Sequence, residues 1–221
     1  MSAIFVTATG TDVGKTYVMC SLIRAFKDRG LPVTALKPVV SGFEMSAAAT
    51  SDTGLILKAL GQRCEAASIA AISPWRFVAP LSVDIAAARE GRSIPFDVVA
   101  AFCAEEAKHM LRTCLIEGVG GVMSPVDDQR TNLDLISALR ASVLLVTGSY
   151  LGAISHTLTA LAALDLADIK ALAIVISESE SSPLALPELS EALARFTAVP
   201  IIAIGRDQGA PKTLVNLVIE A

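Results

Sequence analysis

Near the amino terminus, the run Thr7-Ala8-Thr9-Gly10-Thr11-Asp12-Val13-Gly14-Lys15-Thr16 sets a glycine, a lysine and a hydroxyl side by side between an apolar stretch and an amphipathic one. Small residues allow a tight turn, so the N–H groups from Gly14 to Thr16 can converge on an anion at a helix start. Lys15 would then reach the outer phosphates of ATP, and the Thr16 hydroxyl would ligate Mg²⁺. The residues expected around the nucleotide in this loop are Asp12, Val13, Gly14, Lys15, Thr16 and Tyr17. The spacing is not standard, because the first glycine of the usual phosphate loop would fall at Thr9, with Ala8 and Gly10 on either side.

Two more charged residues follow strand-like runs. Lys37 ends the stretch from Val33 and is followed by Pro38 and two valines, which argues against a free surface lysine. A second cation near one phosphate site points to phosphoryl or carboxylate charge that must be neutralised. Glu117 follows Leu115-Ile116 and precedes two small residues, the place where a metal-binding acid sits at the carboxyl end of a strand. Asp52, in Thr50-Ser51-Asp52-Thr53, reads on its own as the cap of a helix over Gly54–Leu60.

The elements that would position these residues alternate. Apolar runs at Ile4–Thr7, Val33–Lys37, Leu115–Ile116, Val143–Thr147, Ala171–Ile176 and Pro200–Ile204 read as strands. Helical periodicity is clearest over Thr16–Lys27, Phe96–Thr113 and Leu184–Phe196, and Gly30-Leu31-Pro32 stops the first of these. The predicted fold is α/β, a mostly parallel sheet of the P-loop NTPase kind with helices on both faces and ligands at the strands' carboxyl ends. At 221 residues, one domain spanning 1–221 is the expectation.

Bulk properties remove several alternatives. The net charge of -4 and the lack of a basic stripe argue against nucleic acid or an anionic membrane as partner. Between Arg140 and Asp165 no side chain is formally charged, and the mean hydropathy is +0.59. Gly148, Ser149, Gly152, Ser155, His156, Thr157 and Thr159 nevertheless divide that run into a strand, a turn and a buried helix rather than a membrane span. Cys20, Cys64, Cys103 and Cys114 are widely spaced and read as reduced core thiols. No basic leader precedes Ile4, so a cytoplasmic location is expected. Asp127-Asp128 reads as a solvated turn, His156 as a core residue, His109 as a helix-surface residue and Trp75 as packing.

Four blocks in order resemble the dethiobiotin synthetases. Thr9, Thr11, Val13, Gly14, Lys15 and Thr16 match that family's Gly-Thr-Asp-Thr-x-Val-Gly-Lys-Thr loop, from which Ala8 and Gly10 depart. Lys37-Pro38-Val39-Val40-Ser41-Gly42 is similar to its Lys-Pro-x-x-Ser-Gly signature, and Glu117-Gly118-Val119-Gly120-Gly121 to its Glu-Gly-x-Gly-Gly. Ser73-Pro74-Trp75-Arg76-Phe77, with Pro80, Ser82, Ala86, Glu90 and Gly91, resembles its middle segment.

The resemblance implies an ATP- and Mg²⁺-dependent ligase that carboxylates diaminopelargonic acid with CO₂ or bicarbonate and closes its ureido ring. Lys15 and Lys37 would be catalytic, and Asp52 would join Thr16 and Glu117 as a metal ligand, which reverses its reading as a cap. Gly118, Val119, Gly120 and Ser177 would join the nucleotide contacts. Thr11, Lys37 and Ser41 would hold the substrate. Gly152, Ala153 and Ser155, at the start of the helix after Val143–Thr147, would take the substrate's tail carboxylate across a homodimer interface. Ser177 stands where the family often has Asn, and Gly205-Arg206-Asp207 lacks a proline often found there, so modest discrimination between bases is expected. The rival reading is a partition or positioning ATPase of the same P-loop branch. Those proteins carry an extra lysine early in the loop, where this chain has Gly10. A regulatory domain without catalysis would leave Lys37 and Ser41 unexplained.

Overall fold

A computed structural model describes residues 3–108 and 112–221. His109, Met110 and Leu111, and with them part of the expected helix Phe96–Thr113, lie outside the described residues.

The chain opens with β1 (Ala3–Ala8), α1 (Lys15–Asp28), β2 (Val33–Leu36) and β3 (Val39–Val40). A 3₁₀ turn (Met45–Thr50), α2 (Asp52–Leu60), α3 (Ala66–Ile72), β4 (Trp75–Arg76), α4 (Val83–Arg89) and α5 (Phe96–Ala107) follow. Next come β5 (Thr113–Glu117), α6 (Asn132–Leu139), β6 (Ser142–Gly148) and α7 (Ala153–Leu166). The last elements are β7 (Ala171–Ser177), α8 (Leu186–Ala194), β8 (Ile201–Ile204) and α9 (Lys212–Glu220).

Six strands form one sheet in the order β2-β5-β1-β6-β7-β8, every pair parallel. Such strands are covered on both faces, which is why β1 is buried at all six positions and why the sequence shows continuous apolar runs. The register aligns their carboxyl ends: Val6 faces Glu117, Gly148 faces Ser177, and Ser177 faces Ile204. The loops after β1, β5, β7 and β8 therefore emerge along one edge, where ligands bind in open parallel sheets.

The six expected sheet strands all form, with ends moved by a residue or two, and Glu117 is itself the last residue of β5. A second, two-stranded parallel sheet pairs Val39 with Trp75 and Val40 with Arg76, which short runs of two residues do not announce. The Trp75 indole meets the Phe102 ring edge-on at 5.7 Å, so its role in packing holds. No helix among the described residues is long and apolar enough to cross a membrane.

Readings of individual residues change as well. Asp52 is not the cap of α2; Ser51 is, its hydroxyl accepting from the Gly54 N–H, and Asp52 is the first helical residue, its side chain free to face a cation. His156 is exposed rather than in the core, its Nδ1 2.9 Å from the Tyr150 hydroxyl. Of the four free cysteines Cys64 is exposed; burial pushes the Cys20 and Cys114 thiols up to about 12, and raises Cys103 as well.

Candidate active site

The loop after β1 passes into α1 at Gly14, whose φ of 95° suits a residue without a side chain. A Cβ there would also run into the Ser177 hydroxyl, so the phosphate loop and the end of β7 pack at the closest approach that glycine permits. Lys15 folds back over the loop and donates to the Gly10 carbonyl at 2.8 Å. Burial lowers its ammonium to about 8, with the charge of Lys37 adding to that and Glu117, Asp52 and Asp12 opposing it. An anion bound beside it would favour the charged form.

Lys37 leaves β2 with its N–H bound to the Ile72 carbonyl. Its ammonium is nearly inaccessible and lies 2.6 Å from Glu117 Oε1 and 3.2 Å from Asp52 Oδ2. Burial alone would lower its pKa, but the two carboxylates outweigh burial and raise it, so Lys37 is firmly charged. Asp52 shows the reverse balance: burial pushes it up, while Lys37, then Thr16, hold it below its usual value. Thr16 Oγ1 donates to Glu117 Oε1 at 2.8 Å. Thr16, Lys37, Asp52 and Glu117, far apart in the chain, thus meet in one charged knot at the carboxyl ends of β1, β2 and β5.

The glycine-rich loop after β5 lies against the phosphate loop. Val122 N–H donates to the Ala8 carbonyl at 2.9 Å. A Cβ on Gly121 would come within 3.0 Å of that same oxygen and 3.2 Å of the Gly10 nitrogen, so only glycine permits this approach without displacing backbone. Buried Asn132, at the start of α6, donates to the carbonyls of Val119 and Gly121. The Ser124 hydroxyl accepts from the Gly121 N–H at 2.7 Å. Neither Asn132 nor Ser124 was legible as part of the site. The available signal was Thr131-Asn132-Leu133-Asp134, whose outer residues form a capping box and fix where α6 begins.

A cleft of about 830 Å³ opens over the knot and brings together Thr11, Asp12, Gly14, Lys15, Thr16, Tyr17, Lys37, Ser41, Asp52, Glu117, Val119 and Gly120. Ser41 reaches it because the β3–β4 sheet directs the chain through Gly42, whose N–H is held by the Ala79 carbonyl. The wall facing the loop is Pro80 to Val83, another part that sequence reasoning did not place. A second cleft of about 420 Å³ adjoins it, lined by Val13, Ser177 and residues 178–180 and 206–207, with Asp12, Gly14 and Tyr17 shared between the two. Gly118 lines neither and packs on Phe5 and Asn132. Gly152, Ala153 and Ser155 also line neither; they form the start of α7, where Gly152 has φ 98° and no side chain caps the helix. Asp127, read as a solvated turn, is a buried turn residue paired with Arg130 at 2.8 Å.

Glu117 Oε2 is buried with no hydrogen-bond partner, while Oε1 carries both Lys37 and Thr16. A buried carboxylate oxygen left without a partner is a place where a cation could be held. No cluster of three His, Cys, Asp or Glu side chains suited to a metal occurs among the described residues, so a metal here would rest on two carboxylates, a hydroxyl and oxygens brought by the ligand.

The comparisons with known proteins bear on this geometry. An AAA domain family pattern matches residues 2–204. The ATP-dependent dethiobiotin synthetase of Caulobacter sp. (strain K31) is 52% identical over 197 residues, covering 89% of this chain and 84% of that protein. That of Methylobacterium nodulans is 44% identical over 226 residues, covering 99% of both. The chain belongs to the dethiobiotin synthetase family. Among solved structures, the septum site-determining protein MinD of Pyrococcus horikoshii, complexed with Mg-ADP, shares 17% identity at a TM-score of 0.54, covering 99% of this chain and 85% of that one. The signal recognition particle receptor FtsY of Elizabethkingia anophelis shares 19% at 0.57, covering 98% of this chain and 64% of that one. These likenesses show the fold alone. The charged knot draws Thr16, Lys37 and Glu117 from the Gly-Lys-Thr, Lys-Pro and Glu-Gly segments and Asp52 from the start of α2, whereas the second cleft is lined by Ser177, Arg206 and Asp207.

Proposed function

We propose that this chain is an ATP-dependent dethiobiotin synthetase, acting as one nucleotide-binding domain that converts diaminopelargonic acid, CO₂ and ATP into dethiobiotin, ADP and phosphate. The observation that carries the reading is the Lys37 ammonium, buried between Asp52 and Glu117 on the wall of a cleft that Lys15 and Ser41 also line. Taking a charge out of water costs several kcal/mol even when it is paired, on the order of what a fold can spare, so such a group is expected where its charge is used.

In this reading the ATP phosphates lie on the N–H groups of Gly14 to Thr16 with Lys15 on the outer phosphate. Thr16, Asp52 and Glu117 would hold Mg²⁺, which when bound withdraws charge from the phosphates; the bare Glu117 Oε2 supports that assignment. The diamine lies across Thr11, Ser41 and Lys37. One of its amines adds to CO₂, forming a C–N bond and releasing a proton to solvent. A carbamate oxygen then attacks the γ-phosphorus as the bond to ADP breaks. The second amine attacks the carbamate carbon, phosphate leaves with the C–O bonding pair, and the amine's proton is lost. Lys37 must part from its carboxylates to meet the carbamate, and Lys15 follows the charge on the transferred phosphoryl group. No side chain becomes covalently attached, and both amines on one tether supply the proximity.

No side chain caps the start of α7, where the Ala153 N–H is held by the Tyr150 carbonyl and the next N–H groups lie outside both clefts, which supports a site completed by a second copy of the chain, Gly152, Ala153 and Ser155 receiving the substrate's carboxylate. Light scattering at assay concentration should report a dimer; an active monomer would remove the shared site. The reaction itself is tested by mass detection of dethiobiotin from diaminopelargonic acid, bicarbonate, ATP and Mg²⁺. Absence of product from folded, ATP-binding protein would overturn the assignment.

A further inference from the structure

We propose that the Tyr17 hydroxyl is a positioning group for the nucleoside half of the site, latching the β8–α9 loop to the phosphate-loop helix so that the loop forms a fixed wall of the base cleft. This rests on the reading of the site as one for ATP and assigns the second cleft to the base and sugar.

Tyr17 follows Thr16 in the first turn of α1. Tyr17 lines both clefts, which few residues do, and its hydroxyl is directed at the β8–α9 loop. That hydroxyl lies 2.5 Å from the Gln208 carbonyl and 3.3 Å from the Gly205 carbonyl, both across more than 180 residues of sequence. The segment it grips is a tight turn: Gln208 N–H donates to the Gly205 carbonyl at 3.1 Å, and Gly205 N–H to Gln208 Oε1 at 3.3 Å. Within the turn Asp207 has φ 59°, a left-handed conformation that a non-glycine residue adopts at a cost.

The far side of the cleft has its own tie. Arg206 N–H donates to Glu178 Oε2 at 2.9 Å, and Glu178 N–H to the Ile204 carbonyl at 3.0 Å, so the loop is pinned to the end of β7 as well. The two ties differ in kind. The Glu178 tie joins neighbouring strand ends that the sheet already holds together. The Tyr17 tie joins the loop to the helix that carries Lys15 and Thr16, and it sets the spacing between the phosphate subsite and the base subsite. A phenol offers one proton to two carbonyl oxygens here, so replacing Tyr17 with Phe removes the tie while keeping the ring in both walls. Arg206 and Asp207, which line the cleft, would then move with a loop held from one side only.

The experiment compares calorimetric binding of ADP and of inorganic tripolyphosphate to wild type and to Tyr17→Phe, with amide hydrogen exchange read at Gln208. The latch predicts that Tyr17→Phe weakens ADP about five- to tenfold, the worth of one hydrogen bond, leaves tripolyphosphate within about twofold, and speeds exchange at Gln208. Unchanged ADP binding, or unchanged exchange, would overturn the latch. So would equal weakening of both ligands, which would mean that the hydroxyl acts through the phosphate loop. If wild type binds ADP no better than tripolyphosphate, the assignment of the second cleft to a nucleoside fails, and the latch fails with it. Tyr17→Leu separates the ring from the hydroxyl: it should reproduce the faster exchange, and exchange as slow as in wild type would again contradict the latch.

Discussion

The two clefts are built differently. The phosphate side is a knot of formal charge: Lys37 between Asp52 and Glu117, Thr16 on Glu117, and Lys15 folded over its own loop. Close approaches that favour glycine tie it, at Gly121 to the backbone of the phosphate loop and at Gly14 to the Ser177 side chain. The base side has no such knot. It is a loop held by a phenol and a carboxylate, facing a serine that packs on the phosphate loop. In the proposed reading the phosphate side works through paired charges in a poorly solvated setting, where each group matters greatly, and the base side through single hydrogen bonds to backbone groups, where each matters less.

The largest expected effect tests the charged side. Lys37→Ala and Lys15→Ala should each lower the rate of dethiobiotin formation by about 10²–10³, the usual worth of a group that meets charge growing in a transition state. Lys15→Ala should also weaken ATP binding, which calorimetry separates from turnover. The geometry adds an expectation for Lys37 that the sequence did not supply. Removing it leaves buried Glu117 with Thr16 as its remaining hydrogen-bond partner, so the empty Lys37→Ala protein should lose about 3 kcal/mol of stability in denaturant unfolding. Near-wild-type turnover would take Lys37 out of the mechanism, and unchanged stability would mean that the knot relaxes at no cost.

A smaller effect tests the base side. Ser177 offers one short hydroxyl, directed at Gly14, where an Asn could read two positions of adenine. ATP should therefore be preferred over GTP or CTP by only about tenfold in kcat/KM under saturating diamine and bicarbonate. A preference above about a thousandfold would mean that backbone or other side chains read the base, and would erase the contrast between the two sides.

The same contrast decides what could be read before the structure. Gly14, Lys15 and Thr16 are contiguous, and Glu117 ends an apolar run, so local pattern placed them. The parallel sheet was legible because its buried strands leave unbroken apolar runs such as Ala171–Ile176. Asp52 was not readable from its neighbours, because Ser51 beside it is an equally good cap, and only the meeting with Lys37 distinguishes their roles. Asn132 and Ser124 act through backbone carbonyl and N–H groups of a distant loop, and the two-residue strands β3 and β4 are too short to carry a period. Tyr17 had a place in the sequence reading only by standing next to Thr16; its hydroxyl's partners lie at the other end of the chain.

The most direct test of the account is ADP release measured with ATP and Mg²⁺ alone and again after diaminopelargonic acid and bicarbonate are added. A ligase whose lysines act on a substrate carbamate should be nearly silent in the first condition and turn over in the second, with that increment absent in Lys37→Ala. Steady ATP hydrolysis that ignores the diamine would contradict it and would favour a nucleotide switch on the same fold.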